Sequence, residues 1–265
     1  MAGQQRPPKG EQRQGTCVYC SRTGAVTRDH VFAKSLYREP PANPVIVDAC
    51  DPCNQAKSLG DRDLRAFVNL DVYGAQHPDA LGHITEMAEK RPAFKYWLGK
   101  AVRDSEQIDL VSPAGLHVGN LTAVPFNADR VVECQKMVVR ALHYVETGRI
   151  LARNYHVHAV HLAWNLGIPL LQTIANAVEI NLNTPGHRVA GWQSLEMEDH
   201  PGEDRFWLIV YNEGVLFVGG TGKLADSLRA GTSKERLALL PRKVLPWQMR
   251  VPTDPEGRPI VPPQE

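Results

Sequence analysis

Two Cys-x-x-Cys pairs, Cys17-Val18-Tyr19-Cys20 and Cys50-Asp51-Pro52-Cys53, constrain this chain more than any other feature. A two-residue spacer puts both sulfurs of a pair on one side of a tight turn. Two such turns complete a tetrahedron of thiolates, the ligand set of a structural Zn²⁺. Four thiolates leave no open coordination position, so the expected role of this zinc is structural. A short segment stapled in this way draws much of its folding free energy from the metal. The fifth cysteine, Cys134, stands alone in a helical pattern and reads as a small buried apolar residue. An odd cysteine count with paired spacing does not make a disulfide framework, and the expected setting is a reducing cytoplasm.

The 265 residues are enough for one large domain or two smaller ones. A formal net charge of +1 is too small for a protein that coats nucleic acid along its whole surface. The charge is uneven: residues 1–38 hold seven Lys/Arg against two carboxylates. That basic front end suits either phosphate contact or a solvated tail. No apolar run reaches the roughly 20 residues of a membrane span, and the polar N-terminus lacks a signal-peptide core.

Composition shifts divide the chain. Residues 1–15 read as a disordered Gln/Pro/Gly/Arg-rich tail, 16–72 as the cysteine module, 73–240 as an α+β unit and 241–265 as an extended Pro-rich tail. In the module, Val45-Ile46-Val47 reads as a strand and Asn54 to Leu70 as a helix. Downstream, Ala80 to Val102 reads as a helix bent or split at Pro92, and Ile108 to Val111 as a strand. Asp129 to Tyr144 is the clearest helix, with Asn127 or Asp129 as its cap and Gly148 closing it. Ile168 to Asn181 reads as a further helix. Val189–Met197, Arg205–Tyr211 and Val215–Gly219 read as antiparallel strands, with Asn212-Glu213-Gly214 turning between the last two. The expected class is α+β: a zinc module followed by a mixed domain with an antiparallel sheet.

Three residues near the cysteines can make a hydrolytic site. Asp29 and Asn54 offer hard oxygen ligands suited to Mg²⁺ or Mn²⁺. His30, when neutral, can act as general base for a water attacking phosphorus. Lys57, three residues beyond Asn54 on one helical face, is expected to meet a phosphate.

With these residues in place, residues 17–65 resemble a zinc-stapled HNH endonuclease domain of the ββα-metal, treble-clef type. Thr27-Arg28-Asp29-His30-Val31-Phe32-Ala33-Lys34-Ser35-Leu36 is similar to the family's first segment, and Asn43-Pro44-Val45-Ile46-Val47-Asp48-Ala49-Cys50 to its middle one. Cys53-Asn54-Gln55-Ala56-Lys57-Ser58 is similar to its last. The resemblance covers about a fifth of the chain. It implies that Asp29 and Asn54 bind a catalytic Mg²⁺ or Mn²⁺, that His30 is the base and that Asn43 holds the loop orienting His30. Arg28, Lys34 and Lys57 are the expected substrate contacts, and DNA the expected partner. Two departures stand out. Asn54 occupies a place where many members have His, and an amide oxygen suits Mg²⁺ better than softer metals. Asn43 lies seven residues before Cys50, whereas the commonest pattern places the Asn five before, where Val45 stands.

The competing expectation is a non-catalytic zinc module binding nucleic acid or protein, separable by divalent-ion dependence. Cleavage of structured RNA is a third. The modest net charge implies weak non-specific DNA affinity, and hence action as a homodimer or with an activating partner. Other signals read as ordinary. Gly219-Gly220-Thr221-Gly222-Lys223 lacks the first glycine of a phosphate loop, since Phe217 fills that place. His156, His158 and His161 read as surface or packing residues, and Trp97, Trp164, Trp192, Trp207 and Trp247 as core.

Overall fold

The computed structural model describes residues 13–37, 41–71, 74–111, 117–161, 189–196, 204–212 and 215–231. The front of the chain is a three-stranded antiparallel sheet followed by a long helix: β1 (Arg13–Thr16), β2 (Thr23–His30), β3 (Ile46–Ala49) and α1 (Asp51–Leu70). β1 begins inside the segment expected to be a disordered tail, because pairing Arg13 with Val26 and Thr16 with Thr23 gives its backbone partners on β2. β2 in turn pairs with β3, with Thr27 opposite Ala49 and His30 opposite Ile46.

α1 starts at Asp51, three residues ahead of the Asn54 expected from the periodicity. Pro52 lies in the first turn, where a missing N–H removes no hydrogen bond, and Asp51 places a carboxylate at the positive end of the helix dipole.

Downstream come α2 (Ala80–Lys90) and α3 (Pro92–Arg103). The expected single helix is split rather than bent. Pro92 opens α3 and holds Arg91 extended, at φ −134° and ψ 94°, by steric exclusion of the helical region before proline. β4 (Glu106–Val111) pairs with β5 (His117–Ala123), a strand the sequence did not reveal because Gly119 and Asn120 lie at its centre. α4 (Ala128–Thr147) is capped by Asn127, whose side chain accepts from Arg130 N, and closed by Gly148 at φ +69°. β6 (Val157–His161), β7 (Ala190–Glu196), β8 (Arg205–Tyr211) and β9 (Val215–Thr221) form an antiparallel sheet in the order β6-β9-β8-β7, and α5 (Gly222–Gly231) follows. The helix expected at Ile168–Asn181, the 241–265 tail, Trp164 and Trp247 lie outside the described residues.

Alternation along β8 explains the layers. Trp207, Ile209 and Tyr211 face α4, in a core shared with Val138, Val139 and Leu142. Phe206, Leu208 and Val210 face the opposite side and meet Leu228 of α5. With both faces covered, the strand is apolar throughout rather than alternating. The larger core runs without a break from the front of the chain, taking in Val31, Phe32, Leu64 and Val68. Phe32 stacks on Trp192 at 5.5 Å between ring centroids and meets Tyr211 edge-on at 6.0 Å. No described helix is long and apolar enough to cross a membrane.

Candidate functional site

The four cysteines converge. The Sγ atoms of Cys17, Cys20, Cys50 and Cys53 all lie within 4.8 Å of one another, and Cys20 and Cys50 are 3.7 Å apart. Tetrahedral zinc with Zn–S bonds near 2.3 Å requires sulfurs about 3.8 Å apart, so the cluster fits a structural zinc. Among the described residues it is the only group of this kind.

The two pairs reach the cluster differently. The first is a true knuckle: Ser21 N donates to Cys17 O at 2.8 Å, and Ser21 takes the left-handed conformation at φ +58°. The second was expected to be a like turn and is instead the start of α1, with Cys50 as N-cap and Cys53 in the first turn. Four thiolates around Zn²⁺ leave a net negative charge. Arg140 of α4 is the cation placed to offset it. Burial depresses its guanidinium, while the nearby Cys20 and Cys53 favour its charged form. Arg140 also donates to the carbonyls of Ala152 at 3.0 Å and Tyr155 at 2.8 Å, tying α4 to the loop that follows it.

β2 and α1 cross beside this cluster, and strand alternation sorts the candidate residues. Thr27 and Asp29 share the face of β2 that meets α1. The Asn54 amide nitrogen donates to Thr27 Oγ1 at 3.1 Å, which leaves its carbonyl oxygen as the available ligand atom. Tyr19 donates its hydroxyl to Asp29 Oδ2 at 2.6 Å, and Lys57 Nζ lies 3.8 Å from the same carboxylate. Asp29 and Asn54 are thus held on one seam. Arg28 and His30 occupy the opposite face of β2. His30 lines a crevice with Phe32, Lys34, Tyr37 and Val45. Burial lowers the pKa of its imidazole, assisted by Lys34, Lys57 and Arg28 and opposed by Asp29, so the ring is neutral near pH 7. Arg28 and Lys34 are exposed on the side that His30 serves.

Two expectations are corrected. Lys57 is fully buried and cannot meet a phosphate. Its three donors are spent within the fold, on His30 O at 2.9 Å and on both carboxylate oxygens of Asp61 at 2.9 and 2.8 Å. Asp61 holds Lys57 protonated against the burial that opposes its charge. Lys57 therefore fastens the end of β2 to α1. Asn43 is exposed and makes no hydrogen bond to the His30 loop among the described residues. Backbone pairing does that work, through Val31 N to Val45 O at 3.0 Å.

Tyr19, Thr27 and Asp61 escaped the sequence reading. Asp61 had a signal, since a carboxylate four residues after Lys57 shares its helical face. Thr27 had one too, two residues before Asp29 on the same strand face. Tyr19, inside a cysteine spacer, had none. The discounted signals stay ordinary. His156 pairs with Asp226 at 2.9 Å, whereas His161 is wedged between Phe67 and Phe217. A Cβ at Gly222 would lie 1.7 Å from Asp204 Oδ1, so a carboxylate already occupies the start of α5.

No protein-family model, no curated protein and no solved structure matches the chain.

Proposed function

We propose that this chain is a metal-dependent DNA endonuclease of the HNH type. The observation that carries the reading is the division of β2. The Asp29 carboxylate and the Asn54 amide of α1 meet at one face of β2, and His30, whose burial favours the neutral ring, lies on the other. In-line displacement at phosphorus needs the attacking water and the leaving oxygen on opposite sides. A phosphodiester laid across the end of β2 meets both requirements. His30 takes the proton of the attacking water, the new P–O bond forms, and the bond to the leaving 3′ oxygen breaks. Asp29 and Asn54 would hold the Mg²⁺ or Mn²⁺ that stabilises charge on the departing oxygen. Arg28 and Lys34 flank the approach.

Charge counting supports the metal assignment. Lys57 is offset by Asp61, leaving the Asp29 carboxylate with a net charge of about −1 to offer a divalent ion. A zinc held by the four cysteines would be structural, with no open position for the chemistry.

Incubation with supercoiled plasmid in Mg²⁺, Mn²⁺ or chelator tests the reading. Metal-dependent nicking is expected, and its loss in both His30→Ala and Asn54→Ala proteins of unchanged fold. Full activity in either variant sinks the assignment.

A second reading draws on Asp29 itself. One of its oxygens is taken by Tyr19, a setting that also suits a structural carboxylate in a zinc module that binds nucleic acid without cutting it. Binding unchanged by Mg²⁺ and unaccompanied by cleavage selects it.

A further inference from the structure

From Lys90 to Arg103 the chain carries five cations and no carboxylate. Lys90 is paired with Glu86 at 2.9 Å. The other four, Arg91, Lys95, Lys100 and Arg103, are exposed and have no acidic partner among the described residues. At 100° per residue, Lys95, Tyr96, Gly99, Lys100 and Arg103 fall on one side of α3, opposite the buried Phe94 and Ala101. Tyr96 is 73% exposed in the midst of these cations.

Gly99 lies at the centre of this face. A Cβ there would meet only the end of the Arg103 side chain, at 3.7 Å. Glycine within a helix is less favourable than alanine, and no internal packing demands it here. Bare backbone among cations suits close approach by a partner. Helix-dipole stabilisation accounts for Lys100 and Arg103, which lie in the last turn. It does not account for Lys95, in mid-helix, or for an exposed tyrosine beside it.

We infer that this face of α3 is a second nucleic-acid contact, with Lys95, Lys100 and Arg103 on backbone phosphates and Tyr96 against sugar or base. The choice of DNA as occupant rests on the nuclease reading. The placement fits it. Phe94 of α3 packs with Ala66 of α1, twelve residues along that helix from Asn54. Twelve residues of α-helix span about 18 Å, or about five base pairs of duplex. Phe94 is the residue turned toward α1, so the cationic face opposite it is turned outward, open to a duplex. Such a contact supplies the phosphate neutralisation that a net charge of +1 does not.

The test is duplex binding by the full-length, zinc-loaded protein in Mg²⁺-free buffer. A fluorescent DNA duplex is titrated at salt concentrations from about 50 to 200 mM. A K95Q/K100Q/R103Q variant of unchanged circular dichroism and zinc content is compared with the wild type. Each lost phosphate contact lowers the slope of log affinity against log salt by about 0.9, so the triple variant should lose about 2 to 3 from the slope. At the low-salt end its affinity should fall at least tenfold. Tyr96→Ala should weaken binding and leave the slope alone. An unchanged slope in the triple variant overturns the inference, as does absence of duplex binding by the wild type. A slope that falls as expected in a protein that never nicks DNA keeps the surface and rejects the nuclease.

Discussion

Replacing Lys57 by methionine probes the junction between the end of β2 and α1. The side chain is fully buried, and its partner Asp61 has only 13% of its side chain exposed. Removing one member of a buried pair strands the other, at a cost of about 3–5 kcal/mol. Most of that cost is the orphaned Asp61 carboxylate, because the lost bond to the His30 carbonyl contributes only about 1 kcal/mol. Removing both charges should therefore be far milder than removing one. The K57M/D61L double variant is expected to recover most of the loss. Urea unfolding with unchanged m values measures both. The dependence on pH gives an independent check. Burial already raises the Asp61 carboxyl, and in K57M nothing cationic opposes that rise. A carboxyl whose folded pKa is raised binds protons more tightly in the fold, so stability falls as pH rises through it. The K57M deficit should accordingly shrink as the pH is lowered below neutrality. A deficit under about 1 kcal/mol, or a double variant no better than the single, refutes the reasoning. On the proposed nuclease reading, the double variant should still nick DNA poorly, because the end of β2 is no longer tied to α1.

The remaining predictions address the metal, the core and the buried histidine. One Zn²⁺ per chain is expected, and Co²⁺ substitution should give the absorption of a tetrahedral thiolate site, lost in Cys20→Ser; cobalt bound without thiolate absorption would exclude the cluster. Gly60→Ala should destabilise by about 1–3 kcal/mol although alanine is the better helix former, because the added Cβ would lie 2.6 Å from the Cys134 Cβ of α4; a stabilised variant in thermal unfolding would show that α1 and α4 are less closely packed. Burial lowers the His161 pKa to about 4, so the fold keeps this ring neutral while the unfolded chain protonates it below its ordinary 6.5. Stability should then fall as the pH drops from 6.5 toward about 4, by less than about 3 kcal/mol from this group because the Asp71 carboxylate 3.8 Å away favours the charged ring, and His161→Leu should remove that part of the loss; an identical pH profile in the variant contradicts it.

The sequence showed the elements whose signals are local. The cysteine spacing announced its own convergence, Asn127 and Gly148 marked the ends of α4, and Pro92 marked a break between helices. The ends of β8 could be read directly, because a run apolar on both faces stops where Asn212 takes a positive φ of 45°. β5 and β1 were hidden for a common reason. Each owes its extended conformation to a partner strand rather than to β-forming residues of its own.

The candidate site follows the same rule one level higher. Asp29, His30 and Asn54 were legible as types of residue at suggestive positions, but sequence distance says nothing about which polar groups the fold consumes internally. Lys57 reads as a surface cation only until Asp61 and the His30 carbonyl are set around it, three acceptors for three donors. The same packing joins the zinc module to the rest of the molecule. Cys134 donates to Asp61 at 3.3 Å, and Arg130 pairs with Asp63 at 2.7 Å, so α4 grips the helix that carries Asn54. The composition change near residue 72 therefore does not coincide with a break in the core. A domain that looks separable in sequence has its candidate site held by a helix more than seventy residues away.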